Sequence, residues 1–306
     1  MPTLKQFRYL VAVADTLHFR RAAEQCHVTQ PTLSAQLREL EERLSVQLVE
    51  RSRSGVVMTP VGDRIVSLAR LVLKDVDSIV EIAKHGKYLF TDTLRLGILH
   101  SLRPYLLPQI LPEIHETYPE LKLYIREAFP QELLNSLEEG KLDLLLFPLP
   151  VQEADLACEP VFREPLLLAA PSDHKVKDKP VVERTDLNGE TVLALEPGHR
   201  LHEQVRNLCN QYGATLSHEY EGTSLDTLRQ MVAMGMGLSF LPALYVRQEM
   251  QADEQVITRP IAGAQPSRTI GIVWRKWSSR NGEFSELAAL IRNVVRAKVP
   301  EITVLD

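Results

Sequence analysis

Residues 22–51 read AAEQCHVTQPTLSAQLRELEERLSVQLVER, and their periodicity decides the N-terminal fold. Leu33, Leu37, Leu40 and Leu44 recur at alternating four- and three-residue spacing, which aligns them on one face of a helix. Thr29 stands at the N-cap, where a short hydroxyl can accept from the free N–H groups of the first turn. Pro31 suits that turn because its missing N–H would have had no partner there. Upstream, Leu4, Phe7, Leu10, Val11 and Ala14 predict a first amphipathic helix, and Phe19 to Gln25 a short second one. Downstream, VQLVERSRSGVVMTP alternates as two short strands turning at Ser54-Gly55.

The face of the third helix opposite its leucines offers Gln30, Pro31, Thr32, Ser34, Gln36 and Arg38. Short or forked hydrogen-bonding groups at the start of a helix are what base edges in a major groove require. Arg51 and Arg53 near the hairpin tip can lie along a phosphate backbone. The charge distribution agrees. The chain carries −5 overall, but residues 1–90 carry 13 Lys/Arg against 10 Asp/Glu, and residues 91–306 carry 22 against 30. Only the N-terminal part is suited to phosphate.

Residues 60–89 predict one long helix without an internal proline, apolar at Val61, Ile65, Leu68, Leu71, Val72, Val76, Ile79, Val80 and Ile82. Such a stripe left in water drives association, so a dimer through this helix is expected, the alternative being a helix packed on its own domain.

Beyond Thr91-Asp92-Thr93 the pattern becomes strand then helix, twice over: TLRLGIL, an interrupted helix LRPYLLPQILPEIHETYP, LKLYIREA, QELLNSLEEGK and LDLLLFPL, then PLLLAAPS, ETVLALE, a helix from Leu201 to Tyr212, SHEYEG, SLDTLRQMVAMG and LSFLP. TIGIVWR and a final helix, FSELAALIRNVVRAKV, follow. The fold class is therefore α/β, with two open-sheet subdomains behind the N-terminal helices. Open α/β sheets bind ligands beyond the carboxyl ends of their strands. Three junctions there attract notice: Ser101, Leu102 and Arg103 behind His100; His199 and Arg200 behind Gly198; and Thr223 and Ser224 behind Gly222. Each combines a helix start with a hydroxyl or a cation suited to an anion. Ser101, Thr223 and Ser224 could equally be plain helix caps.

At 44% hydrophobic and 25% charged residues, with no apolar run long enough to span a bilayer, the sequence predicts a soluble cytoplasmic protein with no membrane association. Its first residues make a poor signal peptide, since Asp15 breaks the apolar run. Cys26, Cys158 and Cys209 stand far apart, which argues against a structural metal or a disulfide framework. No nucleophile-base pair, metal cluster or phosphate loop suggests an enzyme, and no cofactor is implied.

The string at 22–51 closely resembles the winged helix-turn-helix of LysR-type transcriptional regulators. The remainder resembles their periplasmic-binding-protein-like effector domain. RPYLLPQILPEIHETYPEL, GTSLDTLRQMVAMGMGLSFLPAL and RTIGIVWR are similar to the OxyR branch, which senses hydrogen peroxide. The resemblance implies a DNA-binding domain over 1–59, a dimerising linker helix over 60–91 and an effector-binding domain over 92–306. Within the last, subdomain I would take about 92–163 and 267–306, and subdomain II about 164–266. It also implies a homodimer or homotetramer on a pseudo-palindromic site in double-stranded promoter DNA, with a small-molecule effector and RNA polymerase as further partners.

One departure touches the chemistry. OxyR-like sequences carry a reactive cysteine directly after Gly-His and a second, resolving cysteine nine residues later. Here Gly198-His199 and Cys209 match, but Arg200 holds the reactive position. A guanidinium has no lone pair with which to attack peroxide. Ser101 matches a pocket threonine of the branch, whereas Phe129-Pro130 stand where it has another hydroxyl. Switching by an intramolecular disulfide is therefore not expected, and Cys209 is a resolving-position thiol without a partner. Redox sensing by Cys209 or Cys158, singly or between chains, is the alternative. Arg200 is either an anchor for an anionic ligand or a lock paired with Glu196 or Glu203.

Overall fold

The computed structural model describes residues 1–52, 55–85, 93–251 and 253–306. They form two compact units, one of residues 1–92 with the short segment 135–142, the other of 93–134 and 143–306.

The first unit begins with α1 (Leu4–Thr16), α2 (Phe19–Gln25) and α3 (Gln30–Leu44), each ended or started by local chemistry. A capping box opens α1: the Thr3 hydroxyl accepts from the Gln6 N–H, and the Gln6 side chain accepts from the Thr3 N–H. Leu17 ends α1 in the left-handed region, and His18 caps α2 through Nδ1, which accepts from the Arg20 N–H at 3.2 Å. Thr29 caps α3 by accepting from the Thr32 N–H. Leu10, Val13, Ala22, Leu33, Leu37, Leu40 and Leu48 are fully buried in one core, while Leu44 is partly buried against it. Full burial of a leucine is worth about 1.5–3 kcal/mol, so these stripes hold the three helices together. β1 (Val49–Ser52) and β2 (Gly55–Met58) pair antiparallel, and α4 (Pro60–His85) follows. Gly62 lies so close to the hairpin that a Cβ there would meet the Leu48 carbonyl oxygen at 2.1 Å. The expected helix beyond His85 lies outside the described residues.

The second unit holds β3 (Thr93–Ile98), α5 (Arg103–Thr117), β4 (Lys122–Glu127), α6 (Pro130–Glu138, shared with the first unit), β5 (Leu144–Leu149) and β6 (Leu156–Pro171). There follow β7 (Thr191–Leu195), α7 (Arg200–Tyr212), β8 (Thr215–Gly222), α8 (Leu225–Ala233), β9 (Leu238–Pro242) and α9 (Ala243–Glu249). It closes with β10 (Val256–Arg259), β11 (Ser267–Arg275), α10 (Asn281–Lys298) and β12 (Thr303–Val304). The strand order is β4-β3-β5-β11-β6-β9-β7-β8, with β10 and β12 also on β6. Among the described residues, no helix is long and apolar enough to cross a membrane.

Subdomain I centres on β3, β4 and β5, which run parallel; subdomain II centres on β7, β8 and β9, also parallel. β6 belongs to both: it pairs antiparallel with β11 along Leu156–Pro165 and with β9 along Leu166–Ala169. The expected strand PLLLAAPS is thus only the second half of a 16-residue strand. Its first half escapes a reading of periodicity because Cys158, Glu159 and Pro160 interrupt the apolar pattern. The expected interruption of α5 is a second correction. The helix runs unbroken through Pro108 and Pro112. Both prolines are exposed and four residues apart, so the carbonyls they leave unbonded share the outer face, where water can reach them.

Candidate functional site

The two subdomains face each other across the loops that follow β3, β4 and β7. Gly198, at φ +101°, makes the turn into α7, a conformation that a side chain would strain. It delivers His199 at the N-cap and Arg200 as the first helical residue. The N–H of His202 is bonded back to the His199 carbonyl, whereas those of Arg200 and Leu201 have no partner among the described residues. At the α5 start, Leu102 and Arg103 both donate their N–H to the Leu99 carbonyl, and Pro104 has none to donate.

His199 is buried between subdomains. Its ring lies 4.8 Å from that of Phe129 and 6.4 Å from that of His100, both on subdomain I. Nε2 of His199 is enclosed without a hydrogen-bond partner, and the nearest carboxylate oxygen, of Glu196, is 3.8 Å away, too far for a direct bond. Burial holds the His199 pKa below the usual histidine value, opposed by Glu196 and assisted by His100 and His202. His202 is anchored separately, its Nδ1 2.7 Å from the Leu195 carbonyl oxygen.

Arg200 crosses the same gap. Its guanidinium sits 5.7 Å from the ring centroid of Phe147, a fully buried residue of β5. Neither expected acid holds it: Glu203 pairs with Arg206, and Glu196 faces His199. Among the described residues, no carboxylate lies within ion-pair distance of Arg200. The lock expected from Glu196 or Glu203 is therefore not formed.

The other candidate positions are engaged differently. Ser101 is buried, and its hydroxyl and carbonyl oxygens accept from Arg268 Nη1 and Nη2 at 2.9 and 3.0 Å. Leu102 is fully buried in the core, and Arg103 pairs with Glu127. Ser224 caps α8 by accepting from the Thr227 N–H at 3.1 Å, and Thr223 is exposed beside it. No hydrogen bond joins either to His199 or Arg200 among the described residues. Cys209 is 2% exposed, and burial pushes its pKa up to about 11. A thiol so placed supplies almost no thiolate. Cys158 is exposed on β6.

Where the strands cross between subdomains stands a group that sequence reasoning missed. Arg268 Nε donates to Glu164 Oε2 at 2.7 Å, and Glu164 Oε1 accepts from the Leu244 N–H at 2.9 Å. Their only sequence signal is a charge at the start of each apolar strand run, REPLLL and SRTIGIV. Phe147 and His202 carried no signal at all.

On α3, Gln30, Pro31, Thr32 and Arg38 are exposed, and Ser34 and Gln36 are half-buried. The Gln36 amide donates to Glu39 at 3.0 Å, and the Thr32 hydroxyl lies 2.8 Å from that of Thr29. Arg51 is in β1, and Arg53 lies outside the described residues.

Residues 4–63 match the bacterial regulatory helix-turn-helix protein, lysR family, and residues 89–296 match the LysR substrate binding domain. The chain belongs to the LysR family of DNA-binding transcriptional regulators. Within it, the chain is similar to the DNA-binding transcriptional dual regulator OxyR of Escherichia coli, with 42% identity over 290 residues and 94% of each chain covered. It is also similar to the HTH-type transcriptional regulator EstR of Acinetobacter baylyi, at 31% identity over 96% of this chain and 97% of that one. Among solved structures, a full-length OxyR cysteine-to-aspartate variant from Pseudomonas aeruginosa superposes with a TM-score of 0.82, 39% identity and 97% of each chain covered. α3 lies within the matched helix-turn-helix segment, and His199 and Arg200 lie within the matched substrate binding domain.

Proposed function

We propose that this OxyR-like LysR regulator responds to a small anionic ligand held in the inter-subdomain cleft, and not to peroxide through an intramolecular disulfide. The observation that carries the reading is Arg200: a cation at the start of α7, over the Phe147 ring, with no acid paired to it among the described residues. A guanidinium fork can bind two oxygens of a carboxylate, phosphate or sulfate at once. The free N–H groups at the helix start add donors of the same sense. A ligand that binds one arrangement of the subdomains more tightly shifts the population toward it, and a dimer transmits that shift to paired DNA-reading helices.

The exposed apolar stripe of α4 supports the last step. Val61, Leu68, Val72 and Ile79 are exposed along that helix, while Val66 and Ala69 are buried. Two such helices back to back imply a two-fold symmetric DNA site.

The test is thermal unfolding of the reduced protein against small carboxylates, phosphates and sulfate, with peroxide as control. A ligand at 100 times its Kd stabilises by about 2.7 kcal/mol, and Arg200→Ala should abolish that shift. Stabilisation that survives Arg200→Ala would refute the anchor. A second reading is redox sensing, for which Cys158 is an exposed free thiol. An unchanged oxidant response in Cys158→Ser would remove it.

A further inference from the structure

We infer that the cleft takes up its anion together with one proton, and that His199 carries that proton. The inference rests on the anionic-ligand reading of Arg200 and adds to it how the site is regulated. Two independent features meet at the start of α7. One is the pair of unbonded N–H groups on Arg200 and Leu201. The other is the His199 side chain, 8% exposed, whose Nε2 is enclosed and lacks a partner. A buried polar atom left unbonded is costly, so an acceptor beside Nε2 recovers energy.

The charge beside the ring favours uptake of a proton with the anion. The titratable groups that act on His199 are Glu196 on the loop before α7, His100 on the turn after β3 and His202 on α7. Glu196 is negative, so beside a neutral imidazole an incoming anion meets repulsion from its carboxylate. Protonation of His199 offsets the Glu196 charge and makes Nε2 a donor whichever tautomer the neutral ring holds. An anion that accepts from Nε2 in turn favours the imidazolium, because its charge offsets the burial that otherwise holds His199 neutral. Linkage makes the two effects reciprocal: anion affinity rises as pH falls, and binding draws a proton from solution. Phe129 and His100 close over the ring from subdomain I, so occupancy at Nε2 also changes what holds the two subdomains together.

The experiment is titration calorimetry of the full chain with sulfate, which stays dianionic between pH 5.5 and 8. Two buffers of different ionisation enthalpy count the protons taken up. The expected result is affinity rising toward low pH by up to about tenfold per pH unit, with proton uptake approaching one per sulfate. His199→Asn should flatten the pH dependence while weak binding at Arg200 persists, and His100→Asn should leave most of the dependence intact. Sulfate binding without proton uptake in the wild-type protein, or a pH dependence retained in His199→Asn, overturns the proton coupling and leaves the anion site standing. No sulfate binding at any pH, or binding unchanged in Arg200→Ala, overturns the anion site itself. Proton counting on the wild-type chain decides the matter even if a variant misfolds.

Discussion

Arg268 and Glu164 stand directly opposite each other on β11 and β6, where β6 passes from one subdomain to the other, with Nε to Oε2 at 2.7 Å and neither side chain more than 1% exposed. Through its other nitrogens Arg268 holds Ser101 of subdomain I, and through its other oxygen Glu164 holds the start of α9 in subdomain II. One ion pair thus ties both subdomains to their crossing strands. Removing one partner of a buried pair strands the other charge, at a cost of about 3–5 kcal/mol. Arg268→Met should lower urea stability by that amount, and adding Glu164→Gln should recover part of it. A loss under about 1 kcal/mol would mean the pair does not bear on stability.

Thiol reactivity should separate the cysteines. With its pKa near 11 and its side chain buried, Cys209 should resist alkylation at pH 8 in the folded protein, whereas Cys158 is exposed and should react readily. Mass spectrometry after a timed pulse of iodoacetamide reads both. Equal labelling of Cys209 would show that the α7 core opens.

The buried His199 makes stability depend on pH, with a definite sign. Its folded pKa lies below the unfolded value near 6.5. Above that unfolded value both states are neutral and nothing is lost. As pH falls through it, the unfolded chain takes up a proton that the folded one does not, so stability declines. Thermal unfolding without added anions should show Tm falling below pH 6.5, less steeply in His199→Asn. A parallel decline in the variant would assign it to other groups.

DNA recognition by α3, expected from the helix-turn-helix match, can be divided between base edges and phosphates. Gln30 is exposed at the helix start, so Gln30→Ala should cost about 1–3 kcal/mol of discrimination between specific and nonspecific DNA, with the salt dependence unchanged. An altered salt slope would make Gln30 a backbone contact instead.

The exposed stripe of α4 should control assembly. Leu68 and Ile79 are 62% and 66% exposed in the single chain, so Leu68→Asp with Ile79→Asp should shift sedimentation toward monomer and abolish binding to a two-fold site. An unchanged sedimentation coefficient would place the interface elsewhere.

Much of the N-terminal fold was legible because each element declares itself locally. The leucine stripe of α3, the Thr29 cap and the four-strand-residue hairpin arms are patterns within one or two turns of chain. The first half of β6 was not legible, since LACEPVFRE becomes a strand only through pairing with β11, over a hundred residues later in sequence. α5 misled for the opposite reason. Its prolines break helices in general, but here both fall on the outer face of a helix whose Leu106, Ile110 and Ile114 are buried.

By itself the sequence determined the helical and α/β patterns, the cation at Arg200 directly after Gly198-His199, and the wide separation of the three cysteines. Those are properties of side-chain chemistry and of spacing along the chain. The tertiary structure alone decided what surrounds them: Phe147 under Arg200, Phe129 and His100 against His199, and Glu164 bonded to a residue 104 positions away. The physical reason is range. Periodicity reports which face of an element is buried, whereas the identity of the neighbour on that face depends on sheet order and register, which only the assembled strands define.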